Sequence, residues 1–240
     1  MKILHLYHDL MNLYGEYANI SALTRMLEQN GIEVTVDRLS LKDEPSFLEY
    51  DLIYVGSGTE RNQKEALSHL RPFAGELKEY VENDGFLLMT GNAFEMLGSR
   101  ITDASGKVWE GLGLFPFTTR EQNRVRNTAD AVFGFEEGEK DLVGFINKCS
   151  TIEGIETPLF QVKMGLGNKD NDSGEGIRYR NCFGTHLTGP LLIKNPYFLC
   201  WLTRGLCGDR IGDLKTGHLV HEKAGYEITR MKLEERSRRS

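Results

Sequence analysis

Leu87–Gly98 reads LLMTGNAFEMLG. An apolar run enters a tight turn at Gly91, and a second apolar-spaced run leaves it as the expected start of a helix. This is the build of a nucleophile elbow, which holds one reactive side chain at the top of a sheet. The tip here is Gly91-Asn92, with no Ser, Cys or Thr. The flanking pattern repeats the theme. Lys2–Tyr7, Glu33–Asp37, Tyr50–Val55 and Phe86–Met89 read as short strands. Between them lies a helical stripe at Ile20, Leu23, Met26 and Leu27, closed by Asn30-Gly31 as a C-cap. A second helical stretch runs from Arg71 to Asn83. Strands alternating with helices predict βαβ units and a parallel sheet, that is, an α/β fold. Gly56-Ser57-Gly58 and Thr90–Phe94 then face one crevice at the carboxyl edge of that sheet, where open α/β sheets bind ligands.

Past the elbow the pattern changes. Ala131–Phe135, Leu142–Ile146 and Phe160–Lys163 read as strands of β hairpins in a glycine-rich second half. Gly165–Gly176 (GLGNKDNDSGEG) carries Asp170, Asp172 and Glu175 without calcium-loop spacing and reads as a solvated turn. Asn181–Pro190 forms a last strand and turn, and a helix follows Asn195-Pro196, where a missing N–H is tolerated. The segment from Lys223, ending EERSRRS, reads as a frayed, solvated helix.

The chain has 240 residues, 40% hydrophobic and 27% charged, with net charge −6. That charge gives no electrostatic footing for nucleic acid. No apolar run is long enough to insert in a membrane, and MKILHLYHDL lacks a signal-peptide core, so a cytoplasmic location is expected. Cys149, Cys182, Cys200 and Cys207 form no CxxC pair and read as reduced, mostly buried thiols. Neither a metal nor a cofactor is expected.

The order GSG loop, GNAFEMLG elbow, hairpins and GTHLTGP, together with NLYGEYANI (Asn12–Ile20), GLGL (Gly111–Leu114) and GEGIRYRN (Gly174–Asn181), resembles class I glutamine amidotransferases of the cobyric acid synthase-like branch. The likeness is greatest to the glutamine amidotransferase subunits of lipid II isoglutaminyl synthase. It covers residues 1–208, leaving 209–240 as a charged C-terminal extension. The resemblance implies a flavodoxin-like three-layer sandwich with a mostly parallel central sheet. It also implies a Mur-ligase-like ATP-dependent partner that receives ammonia. In such enzymes an elbow cysteine attacks the amide of glutamine, a loop histidine handles the proton, and glycine-loop amides hold the oxyanion.

Aligned on Phe94 and Met96-Leu97-Gly98, the family's C-G-G-Y-Q places its cysteine at Gly91. Asn92 and Ala93 replace two glycines, and Glu95 replaces the glutamine. In the later loop, G-T-Y-L-H-G-P puts the histidine at Thr188, while His186 stands for the tyrosine. Both catalytic side chains are absent, and no cysteine precedes residue 149. A thioester route needs a thiolate and a positioned base, so the expected function is a subunit of the isoglutaminyl synthase type without glutaminase activity. The competing readings are an active amidotransferase with altered residues and a small-molecule-binding protein of the same fold. His186 is read as a residual base or a structural group, Cys182 as a relocated nucleophile or an inert thiol. Gly56, Ser57, Gly58, Asn92 and Arg124 are the expected contacts for glutamine or a related small molecule. Glu60, Arg61 and Gln63 read either as crevice residues or as a solvated helix start.

Overall fold

The computed structural model describes residues 1–122 and 126–237. In its first half, β1 (Lys2–Leu6), α1 (Tyr17–Gln29), β2 (Thr35–Leu39), β3 (Leu52–Val55), α2 (Glu60–Leu70), α3 (Ala74–Glu82) and β4 (Phe86–Thr90) follow one another. The second half contributes β5 (Arg100–Thr102), β6 (Val108–Glu110), β7 (Thr118–Glu121), β8 (Asn127–Gly134), β9 (Leu142–Lys148) and β10 (Ser150–Glu153). Next come β11 (Phe160–Met164), β12 (Gly174–Glu175), β13 (Ile177–Tyr179) and β14 (Cys182–Thr185), then α4 (Leu191–Lys194), α5 (Pro196–Cys207) and α6 (Val220–Ser237).

Six strands form the central sheet in the order β13-β14-β4-β3-β1-β2. All neighbours are parallel except the β13–β14 pair. Alternation along these strands sends side chains to two cores. Ile3, Leu52, Tyr54, Leu88 and Phe183 join the core shared with α1, α5 and β8. Leu4, Ile53, Val55, Leu87 and Met89 join the core shared with α2 and α3. A sheet buried on both faces requires the nearly continuous apolar runs seen in its sequence. The mostly parallel α/β expectation holds.

Two four-stranded sheets, β10-β7-β5-β6 and β12-β11-β8-β9, accompany the central one. The three predicted hairpin strands all fall in the second of these.

Four details differ from the sequence reading. The helix expected over 71–83 is α3, starting at Ala74 and preceded by a 3-10 turn over Arg71–Phe73. Pro72 lacks the N–H that would fuse α2 to α3. The elbow continues not as an α-helix but as a 3-10 helix, Gly91–Leu97. Glu175, expected in a solvated turn, is fully buried; it accepts from Thr185 Oγ1 at 2.6 Å and from the His186 backbone N–H at 2.7 Å. Finally, α6 is packed over its described residues, 238–240 lying outside them: Tyr226 and Leu233 pack on Val132 and Val143, and Tyr226 O–H donates to the Asp141 carbonyl at 2.6 Å.

Candidate functional site

The crevice forms where β3, β4 and β14 end. Thr59 caps α2, its Oγ1 accepting from Asn62 N–H at 3.1 Å, and this fixes Gly56-Ser57-Gly58 as a tight loop. Beside it, Gly91 sits at φ +60°, the left-handed region in which glycine is unstrained. The elbow's backbone geometry is therefore intact. The space above it is not. A Cβ at residue 91 would overlap the Ser57 Cβ, closer than the 3.0 Å that real Cβ atoms keep.

Asn92 ties the two loops together. Its Oδ1 accepts from Gly58 N–H at 3.0 Å, and its Nδ2 donates to Gly58 O at 2.9 Å. Gln63 Nε2 donates to the Asn92 carbonyl and, at 2.8 Å, to Glu95 Oε2. The mouth is bridged as well. Arg126 pairs with Glu60 and donates to Asn147 Oδ1 at 2.9 Å, and Asn147 Nδ2 donates to Tyr14 O–H at 2.7 Å. The remaining cavity, about 20 Å³ and lined by Gly58, Gly91, Asn92 and Thr188 among others, is room for about one water molecule.

Thr188 lines this cavity but is turned to backbone. Its N–H and Oγ1 both approach the Phe145 carbonyl, at 3.0 and 3.1 Å. His186 is buried below, with Nε2 2.9 Å from Glu95 Oε1 and Nδ1 3.5 Å from Glu175 Oε1. Ser150 Oγ donates to the same Glu95 oxygen. Burial alone would raise the Glu95 carboxyl, but the hydrogen bond and charge of His186, with Ser150 and Gln63, hold it below the usual carboxylate range. The imidazole is thus locked among carboxylates and does not reach the crevice as a base.

Of the cysteines, Cys182 lies in the sheet, fully buried and with its thiol pushed up by burial. It has no path to the crevice, which removes it as a relocated nucleophile. Cys149 instead lines the crevice, 3.3 Å from Glu60 Oε1. Burial and the Glu60 charge raise its thiol to about 12, so little thiolate exists at neutral pH. Gln63 is buried and structural, Arg61 is exposed, and Glu60 faces the crevice. Arg124 lies outside the described residues.

Sequence reasoning missed the buried Glu16. Its carboxylate accepts from Tyr54 O–H, Thr90 Oγ1 (2.6 Å), Asn19 Nδ2 (2.9 Å) and Ser57 Oγ (3.4 Å). It links α1, β3, β4 and the glycine loop directly behind Gly91. The signal was present in NLYGEYANI, which holds both Glu16 and Asn19. Burial raises the Glu16 pKa, with the four hydrogen bonds only partly opposing it. The folded state therefore holds the proton more readily than the unfolded chain. Ionised Glu16 costs stability above its folded pKa, and this cost fades as pH falls toward the unfolded value, about 4.5. Glu16→Gln, which keeps an acceptor for the three donors on one oxygen, is expected to leave stability equal or higher at pH 7 and to gain less on acidification than the parent. Urea titrations at pH 5 and 7 measure this; a loss above about 2 kcal/mol at pH 7, the size of an unsatisfied buried group, would show that the charge itself is required.

Comparison with known proteins places this geometry. Residues 2–196 match the CobB/CobQ-like glutamine amidotransferase domain family. The lipid II isoglutaminyl synthase (glutamine-hydrolyzing) subunit GatD of Streptococcus pneumoniae is 35% identical over 197 residues, 81% of this chain and 76% of that protein. GatD of Staphylococcus aureus is 33% identical over 211 residues, 86% of this chain and 84% of that protein. Among solved structures, one glutamine amidotransferase superposes with TM-score 0.57 at 14% identity, over 86% of this chain and 98% of its own. One from Thermotoga maritima gives 0.52 at 13% identity, over 95% and 88%. Those likenesses concern the fold alone, and it is the class I amidotransferase sandwich. By sequence match over four-fifths of its length, and by the elbow and glycine loop still set edge to edge, the chain belongs to the CobB/CobQ-like glutamine amidotransferase family.

Proposed function

We propose that this chain is the amidotransferase-type subunit of a peptidoglycan-amidating complex of the isoglutaminyl synthase type, and that it does not hydrolyse glutamine. The observation that carries the second clause is the filled crevice. Ser57 occupies the space of a side chain at residue 91, and Asn92 holds the Gly58 N–H that an oxyanion would need. The first clause rests on the GatD relatives, which are named as subunits of a synthase. The partner would be a Mur-ligase-like ATP-dependent enzyme, docked on the crevice side and the hairpin half. A stable interface of this kind buries on the order of 1,600 Å². A cytoplasmic location belongs to the same reading, since that is where such a ligase finds ATP. Among the described residues no helix is long and apolar enough to cross a membrane.

Two results are expected. Co-expressed with a Mur-ligase-like ATP-dependent partner from the same host, the chain elutes as a heterodimer in size-exclusion chromatography with light scattering. The pair uses free ammonia, and ammonia release from glutamine stays at the no-enzyme level. Glutamine-dependent release that disappears on Cys149→Ser would overturn the non-hydrolytic reading. Separate elution at micromolar concentration, with ligase activity unchanged by this chain, would overturn the subunit reading.

A further inference from the structure

The C-terminal extension does more than cover β8 and β9. Its residues His218, Leu219 and Glu222 close a second cavity against α1, α4 and α5, of about 150 Å³. It lies away from the crevice and shares no residue with it. Most of its wall is hydrocarbon, with Leu192, Leu199 and Leu219 all buried. Two polar atoms break that wall: Glu222 Oε2 and His218 Nε2 are each buried without a hydrogen-bond partner. Arg25 stands at the rim, 61% exposed, with Nη1 3.9 Å from Glu222 Oε1, the other carboxylate oxygen.

The Glu222 side chain is 27% exposed overall, so it is the inner oxygen alone that lacks a donor; a buried carboxylate oxygen without one is unfavourable, and such atoms in folded proteins are nearly always matched. The missing partner must donate. A carboxylate or phosphate ligand would meet Glu222 as a like charge. A purely apolar ligand would leave both atoms unpaired. An ammonium carries three N–H donors, enough to serve Glu222 Oε2 together with His218 Nε2 in the tautomer that carries its proton on Nδ1. A cavity of 150 Å³ holds roughly five liquid waters, or an aliphatic chain of about four carbons with its head group.

We propose that this cavity is a binding site for a primary alkylammonium group, with the ammonium on Glu222 and His218 and the hydrocarbon along Leu192, Leu199 and Leu219. A free amine and a lysine side chain both present this group, and the recognising chemistry is the same.

The test uses the full chain and n-butylammonium chloride, against sodium chloride at equal ionic strength. Methyl NMR reads the signals of Leu192, Leu199 and Leu219. A ligand this small is expected to bind with a dissociation constant on the order of millimolar, with saturable shifts confined to these methyls. 1-Butanol, of the same shape without the charge, is expected to bind at least tenfold more weakly. Glu222→Gln should weaken n-butylammonium at least tenfold while leaving the rest of the spectrum in place. His218→Phe, which puts a ring into the cavity, should remove binding of both probes. Nα-acetyl-lysine-N-methylamide distinguishes the source: shifts with both amines admit a side chain, shifts with n-butylammonium alone restrict the site to free amines. The proposal is overturned if n-butylammonium gives no saturable shift at these methyls, if 1-butanol binds equally well, or if Glu222→Gln binds as the parent does.

Discussion

Replacing Gly91 by cysteine, the residue the resemblance leads one to expect there, is expected to lower the melting temperature by roughly 5–12 °C and to produce no glutaminase. Two separate terms add. An L-residue held at φ +60° costs about 1 kcal/mol or more, a strain that a functional elbow sustains. The overlap of the new Cβ with Ser57 adds about 1–3 kcal/mol of the kind seen on overpacking. Thr188→His, added to supply the base, loses the side-chain hydrogen bond from Oγ1 to the Phe145 carbonyl. Even then the thiol has no cavity for substrate beside it, and displacements of an ångström cost large factors in rate. The cause is checked by Gly91→Cys with Ser57→Gly, which should regain at least half of the lost stability. If Gly91→Cys alone melts with the parent, Ser57 does not fill the site as described.

The second large effect is a coupling between Glu95 and His186. On the resemblance, Glu95 is expected to stand for a glutamine and His186 for a tyrosine, and the two are in contact at 2.9 Å. Both are buried. His186→Leu leaves the buried Glu95 carboxylate without its closest ring partner, an outcome that costs about 3–5 kcal/mol. Glu95→Gln alone is expected to lose about 1–3 kcal/mol, because His186 then faces an amide where it met a charge. The paired reversion Glu95→Gln with His186→Tyr should be much less destabilised than the sum of its singles. A double-mutant cycle in urea measures this, and an interaction energy near zero would mean the two positions changed independently. The pH dependence gives a further check. The folded pKa of Glu95 is depressed, so its stabilisation is complete above the unfolded value, about 4.5, and is lost as pH falls through the folded value. In His186→Leu, burial is left to dominate and the sign reverses: the loss of stability is larger at pH 7 than at pH 5.

What the sequence disclosed, and what it hid, follows from the range of the interactions. The parallel sheet was legible because strands buried on both faces must be apolar throughout, as in Phe86–Met89 and Leu52–Val55. The helix α2 was read only as a possible helix start, because ERNQKEALSHL is polar and its buried face is made partly of Gln63 and Lys64. Lys64 is buried only because Glu121, far along the chain, pairs with it. The vacancies at Gly91 and Thr188 could be read from two motifs. That Ser57 and Asn92 fill the vacated space could not, because it depends on where two distant turns meet. Likewise Cys149 faces the crevice because it lies in the bend between β9 and β10, and Cys182 is buried because it lies in β14, placements that composition does not reveal.

The Asn92–Gly58 contact bears on ligand competition. The Asn92 side chain ends in a primary carboxamide, the same functional group as the side chain of glutamine, and its oxygen accepts the Gly58 N–H. Such a group tethered in the same chain competes as an intramolecular ligand whose effective concentration is millimolar or higher. A free amide arriving from solution must displace one that never diffuses away. Removing Asn92, rather than adding a cysteine, is therefore the first step by which this crevice would be made to admit glutamine again.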